Sequence, residues 1–136
     1  MPSITSKEAA RLGLIPSGGK PSKYRARKTA YNGITYDSAA EARRAQELDA
    51  LIEAGQVRWY VRQPTFRLGC PENVYRADFI VCYPGGGCQV EDVKGYRTAK
   101  FKRDIKLWRR YGPMMLMLKT WRRGEWRDEV VMVIKE

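Results

Sequence analysis

Residues 113–121, PMMLMLKTW, are apolar almost without a break, which suits a strand covered on both faces. No stretch approaches the roughly 18 apolar residues of a membrane span. Such a strand needs neighbours on its edges and helices on its faces, so the remaining chain must supply both.

The rest of the sequence reads accordingly. TAYNGITYDS places Asn32-Gly33 between short apolar runs, the signature of a type I′ hairpin. SAAEARRAQELDALIEAG then has the helical period, with Ser38 and Glu41 forming a capping box and Gly55 at the C′ position. After Gly55 the pattern changes to strands. QVRWYVRQPTFRL alternates but contains Pro64, which predicts an edge strand or a break into two. VYRADFIVCY and CQVEDVK flank PGGG as a β-hairpin, TAKFKRDIKLWRRYG returns to helical period, and EVVMVIK suits a final or edge strand. The fold class is therefore α/β, a mixed central β-sheet flanked by helices. Residues 31–136 form one α/β domain. Residues 1–30 hold a short helix beginning near Thr5 or Ser6 and a basic arm, IPSGGKPSKYRARK, read either as a phosphate-contacting segment or as a solvated linker.

Charge narrows the partners. Lys and Arg number 26 against 15 Asp and Glu, a net charge of +11, which favours a polyanion, nucleic acid first and an acidic membrane surface second. On the helix over 98–111, Phe101, Ile105 and Trp108 share one face. Lys102, Arg103, Lys106, Arg109 and Arg110 share the other, and Lys100 precedes them. These residues, with Arg25, Arg27 and Lys28 of the arm, are the candidate DNA contacts. Trp121 and Trp126 lie among arginines and are read as packing residues rather than base-stacking ones.

The chain has no histidine, which removes Ser/His/Asp and Cys/His catalysis and every nuclease type built on histidine. Cys70, Cys82 and Cys88 are odd in number and lack CxxC spacing. Neither a disulfide framework nor a structural zinc site is indicated; Cys82 and Cys88 could lie near each other across a hairpin, but small apolar fillers is the preferred reading. The first residues lack the apolar run of a signal peptide, and the expected location is the cytosol.

Phosphodiester chemistry would then fall to carboxylates, lysine and a hard metal. In QVEDVKGY, strand alternation puts Asp92 and Lys94 on one face and Glu91 on the other. Asp78, in RADFIV, meets Asp92 if the hairpin loop is 83–87, and shares a face with Glu91 if the loop is 84–87, unless a bulge restores the register. Glu91 is thus the reserve for Asp92. Two nearby carboxylates repel unless a cation sits between them. Mg²⁺ suits the position, held by both acids, the Val93 carbonyl, waters and substrate oxygens. The alternative is a surface ladder of ion pairs, which contributes little.

Asp78, then Asp92-Val93-Lys94 after a hairpin, a basic helix following and a helix bearing Glu41 preceding, together resemble the PD-(D/E)xK nuclease superfamily. YDSAAEARR, RQPTF, YRADFIV and VEDVKG carry the resemblance over residues 36 to 118, with Ala77 where the motif's name has proline. The chain also looks similar to a small family of phage-encoded nuclease-like proteins. The resemblance implies a restriction-endonuclease-like core and a Mg²⁺-dependent DNA endonuclease in which Mn²⁺ substitutes. Asp78, Asp92 and Glu41 would serve the metal, Lys94 would activate water, and Gln63 would support the site. Branched or structured DNA is the expected substrate, in phage recombination, repair or packaging within the host cytosol. Symmetric junction cutting would need a homodimer. The competitors are a non-catalytic nucleic-acid-binding protein and an inhibitor-type module docking on an acidic protein.

Overall fold

A computed structural model describes residues 27–95 and 97–134. The predicted helix near Thr5, most of the basic arm and Arg25 lie outside the described residues; Arg27 and Lys28 are exposed. The chain divides into two compact units, Met1–Leu51 and Ile52–Glu136.

In the first unit, β1 (Thr29–Tyr31) and β2 (Ile34–Tyr36) pair antiparallel around Asn32 and Gly33, whose φ values of 52° and 79° make the left-handed turn that the Asn-Gly pair predicts. Helix α1 (Ala39–Glu53) starts on the expected capping box: the Glu41 amide donates to Ser38 Oγ at 3.1 Å, and that hydroxyl lies 3.4 Å from the Glu41 carboxylate. Ala42, Ala45 and Leu48 form its buried stripe, and Tyr31 donates to Asp49 Oδ2 at 2.6 Å.

The second unit is a five-stranded mixed sheet in the order β3-β6-β7-β8-β9. QVRWYVRQPTFRL breaks into β3 (Trp59–Arg62), an edge of that sheet, and β4 (Thr65–Arg67), so both expectations raised by Pro64 are met. VYRADFIVCY divides likewise, into β5 (Val74–Arg76) and β6 (Phe79–Cys82). The β4–β5 ladder continues the register of β3–β6, and the hydrogen bonds Gln63 N to Asp78 O (2.8 Å) and Ala77 N to Pro64 O (3.1 Å) bridge the gap. The four strands are one long ribbon interrupted over two rungs, Gln63 opposite Asp78 and Pro64 opposite Ala77. There Gln63 adopts φ 53° and Pro64 lacks the amide a regular ladder would use.

Beyond those two rungs the outer half of the ribbon joins the core. Leu68, Tyr75 and Ala77 are buried in one cluster with Val90, Phe101, Trp108, Leu116, Leu118 and Val131. β7 (Cys88–Val93) is the central strand, antiparallel to β6 and parallel to β8 (Leu116–Arg122); α2 (Ala99–Tyr111) makes the crossover. Thr98 caps α2, its Oγ1 accepting from the Phe101 amide at 3.0 Å. The fully buried Trp108 stacks edge-on against Phe66 and Tyr75, and its indole donates to Met114 O at 2.9 Å. The run at 113–121 is the strand expected, with Leu116, Leu118 and Lys119 buried. β9 (Glu125–Val131) begins earlier than EVVMVIK suggested and pairs along all of β8.

One sequence expectation is overturned. Cys82 and Cys88 are joined in a disulfide rather than acting as separate fillers. They face each other directly across the hairpin, next to the Tyr83 N to Gly87 O bond, and their Cα atoms are 4.1 Å apart. Such close rungs of an antiparallel ladder bring Cβ atoms within bonding reach. Cys70 is free and exposed.

Candidate active site

The hairpin register decides which acid meets which. Cys82 pairs with Cys88 and Phe79 with Glu91, so the loop is 83–87, one of the two lengths weighed from sequence. Asp78 then follows as a bulge: its amide donates to Glu91 O at 3.1 Å although Phe79 is Glu91's register partner. The bulge lets the Asp78 side chain fold over the end of β7, where Oδ2 accepts from the Val93 amide at 2.7 Å. The acid of the first strand is thereby tied to the backbone of Asp92-Val93-Lys94.

Asp92 has no exposed surface. Its Oδ2 accepts a hydrogen bond from the Tyr75 hydroxyl. Its Oδ1 meets no hydrogen-bond donor; the nearest cation is the Lys94 ammonium at 3.5 Å. A buried carboxylate oxygen left without a donor is costly unless a cation completes it. Lys94 shares the Asp92 face, as alternation predicts. It is about one-third exposed, with its ammonium 4.9 Å from the centre of the Phe101 ring.

Tyr75 is a residue that sequence reasoning missed. Burial first, then the charge of Asp92 and the bond to it, then Asp78 and Asp104, push its phenol far above the ordinary value near 10. Three carboxylates therefore act on one hydroxyl. Asp104 was counted only as the lone acid of a basic helix, yet it is buried and holds Lys100 at 2.8 Å. Its spacing was a usable signal, since Phe101, Asp104, Ile105 and Trp108 share one helical face.

Glu91, the reserve ligand, is also fully buried but faces the opposite side of the sheet from Asp92, accepting from Gln89 Nε2 at 2.9 Å. Gln63 is brought beside Asp78 through backbone, its amide donating to the Asp78 carbonyl. Glu41 stands in the first unit as the capping residue of α1. Among the described residues no group of three or more His, Cys, Asp or Glu side chains is placed to hold a metal ion. Asp92 Oδ1, buried and reached by no hydrogen-bond donor, is an oxygen whose environment suits a hard cation such as Mg²⁺, which usually keeps several waters and takes its remaining oxygens from substrate.

Two clefts meet at Lys94. One, of about 470 Å³, is walled by Tyr75, Arg76, Thr98, Lys100 and Asp104. The other, of about 400 Å³, is walled by Arg97, Arg122, Arg127 and Asp128. Arg76, Arg122 and Arg127 are exposed, while Arg97 pairs with Glu129. The predicted basic stripe of α2 is also exposed, through Lys102, Arg103, Lys106, Arg109 and Arg110, and the last three border a separate cleft beside Val133 and Ile134. Trp121 and Trp126 are cross-strand partners, 5.0 Å apart between ring centres and half-buried, as packing residues would be.

No helix among the described residues is long and apolar enough to cross a membrane. A family model described as "Protein of unknown function (DUF1064)" matches residues 21–123. Comparison with curated proteins and with solved structures finds no match.

Proposed function

We propose that this chain, which belongs to the DUF1064 family of proteins of unknown function, is a Mg²⁺-dependent endonuclease that hydrolyses phosphodiester bonds in DNA. The observation that carries the reading is the buried Asp92 Oδ1, which lacks a hydrogen-bond donor and lies beside Lys94. The element order agrees with what the PD-(D/E)xK resemblance describes: a helix bearing Glu41, a strand introduced by Asp78, a hairpin, the strand ending in Asp92-Val93-Lys94, then a basic helix. On that basis we assign the sheet and its helices to a restriction-endonuclease-like core.

In this reading Asp78 and Asp92, with the Val93 carbonyl, would hold the ion, and Mn²⁺ would substitute for it. The metal supplies charge for the phosphate and a lowered pKa for its bound water. Asp78 has a second task, because its bond to the Val93 amide fixes the end of β7 that presents Asp92 and Lys94. Lys94, partly exposed, would orient the attacking water and meet the charge that develops on the phosphate. Gln63 supports Asp78 through the backbone.

The two clefts flanking Lys94 suit a nucleic-acid strand drawn past it, with Arg76 and Lys100 on one side and Arg122 and Arg127 on the other. Arginine contacts to phosphate position a strand without reading its sequence. We therefore assign branched or structured DNA as the substrate, in phage recombination, repair or packaging in the host cytosol, with a homodimer where a junction is cut twice. The Cys82–Cys88 bond would be reduced in that compartment.

A second reading, a non-catalytic nucleic-acid-binding protein, is favoured by one observation: among the described residues no group of three or more His, Cys, Asp or Glu side chains is placed to hold a metal ion. Cleavage of labelled junction, flap, single-stranded and linear duplex DNA, in Mg²⁺ or in EDTA, separates the two. Metal-dependent cutting lost in Asp92→Asn with binding retained supports the nuclease. Binding without cutting under Mg²⁺ or Mn²⁺ rejects it.

A further inference from the structure

The Tyr75 hydroxyl donates to Asp92 Oδ2 and to no other atom of that carboxylate, while Oδ1, equally buried, is left without a donor. The tyrosine cannot easily turn away. Its ring is buried between strand and helix and packs edge-on against Trp108, with ring centres 5.7 Å apart, and Trp108 is itself fully buried and tied to Met114 O. Asp92 is equally confined, fully buried near the end of the sheet's central strand. One carboxylate oxygen is thus held by a fixed protein donor, while the other has only the Lys94 ammonium at 3.5 Å and no hydrogen bond.

We infer that Tyr75 is the metal-selecting residue of this site: by occupying Asp92 Oδ2 it leaves Asp92 a single oxygen to offer, which favours Mg²⁺ over Ca²⁺. The inference rests on the proposed metal site. Its physical basis is the difference between the two ions. Ca²⁺ takes six to eight oxygens and readily uses both oxygens of one carboxylate, whereas Mg²⁺ demands a compact octahedron and is content with one oxygen from each of one or two acids. A side chain that engages one oxygen of a ligating carboxylate typically changes metal affinity 10- to 100-fold when removed. Tyr75 touches neither ion nor substrate in this account and is a positioning residue.

The test is calorimetric titration of MgCl₂ and of CaCl₂ into the full chain, as wild type, Tyr75→Phe and Asp92→Asn, with thermal unfolding of each. The expected result is a wild type that prefers Mg²⁺ and a Tyr75→Phe protein in which the ratio of Mg²⁺ to Ca²⁺ affinity falls on the order of 10-fold. Equal loss of both ions in Tyr75→Phe, or no change in the ratio, overturns the inference while leaving the metal site standing. A wild type that binds Ca²⁺ as well as Mg²⁺ also overturns it, and needs no variant to fold. A wild type that binds neither ion, indistinguishable from Asp92→Asn, overturns the metal site and the inference together.

Discussion

The Lys94 ammonium stands 3.5 Å from Asp92 Oδ1, the carboxylate oxygen that no hydrogen-bond donor reaches. A lysine retained only as a counter-ion could be exchanged for arginine at small cost, but a lysine that orients water could not. Lys94→Ala and Lys94→Arg should both lower single-turnover cleavage by at least about 100-fold while DNA affinity changes little. Full activity in Lys94→Arg would reduce Lys94 to a counter-ion.

The raised pKa of Tyr75 makes stability depend on pH at the alkaline end. A phenol whose folded pKa lies above its ordinary value contributes stability that is fully present below pH about 10 and drains away as the pH rises toward the folded value. Wild type should therefore lose urea midpoint more steeply above pH about 10 than Tyr75→Phe does. Spectrophotometric titration should also find one of the eight phenols still protonated until the chain unfolds.

Strand contacts at the two clefts should be visible in salt. Each phosphate contact removed lowers the slope of log K against log salt by about 0.7 to 0.9. Arg122→Ala and Arg127→Ala should each show that loss, together with reduced cleavage at low salt. Substitutions at Lys102 or Arg103, on the outer face of α2 away from both clefts, should leave cutting unchanged.

The disulfide lies at the turn end of β6 and β7, while Asp78 and Asp92 lie at the opposite end of the same strands. Closing so short a loop is worth about 2 kcal/mol in chain entropy. Denaturant unfolding with and without reductant, beside Cys88→Ser, should show a loss of that order, with cleavage rates equal. A cleavage rate that falls with reduction would tie the turn to the site.

Much of this was legible in the sequence, because local rules governed it. Asn32-Gly33 fixed a turn, Ser38 and Glu41 a helix start, and the Phe101, Ile105, Trp108 spacing the buried face of α2. What was not legible depended on contacts between distant segments. Tyr75 reads as an ordinary strand residue until the interruption at Gln63 and Asp78 brings the outer ribbon into the core, and only then does its hydroxyl reach Asp92. The cysteine pair failed for the same reason. Six residues of separation allow a bond, but only the register that sets Cys82 opposite Cys88 makes one. Asp104 was hidden by its company, an acid among cations, when its helical position already placed it inward.

The family match ends at residue 123, in the turn before β9, yet β9 is the strand that closes the sheet on that side. It covers β8, whose Leu-Met-Leu core would otherwise present bare amides and carbonyls to any passing chain. Its own outer edge is lined with Glu125, Arg127, Asp128 and Glu129, charges that discourage a further strand from adding on. A protein truncated after Gly124 would keep Asp78, Asp92 and Lys94, though not Arg127, and would tend to assemble edge to edge into insoluble material. The last strand thus guards solubility, a role that no inspection of the carboxylates would suggest.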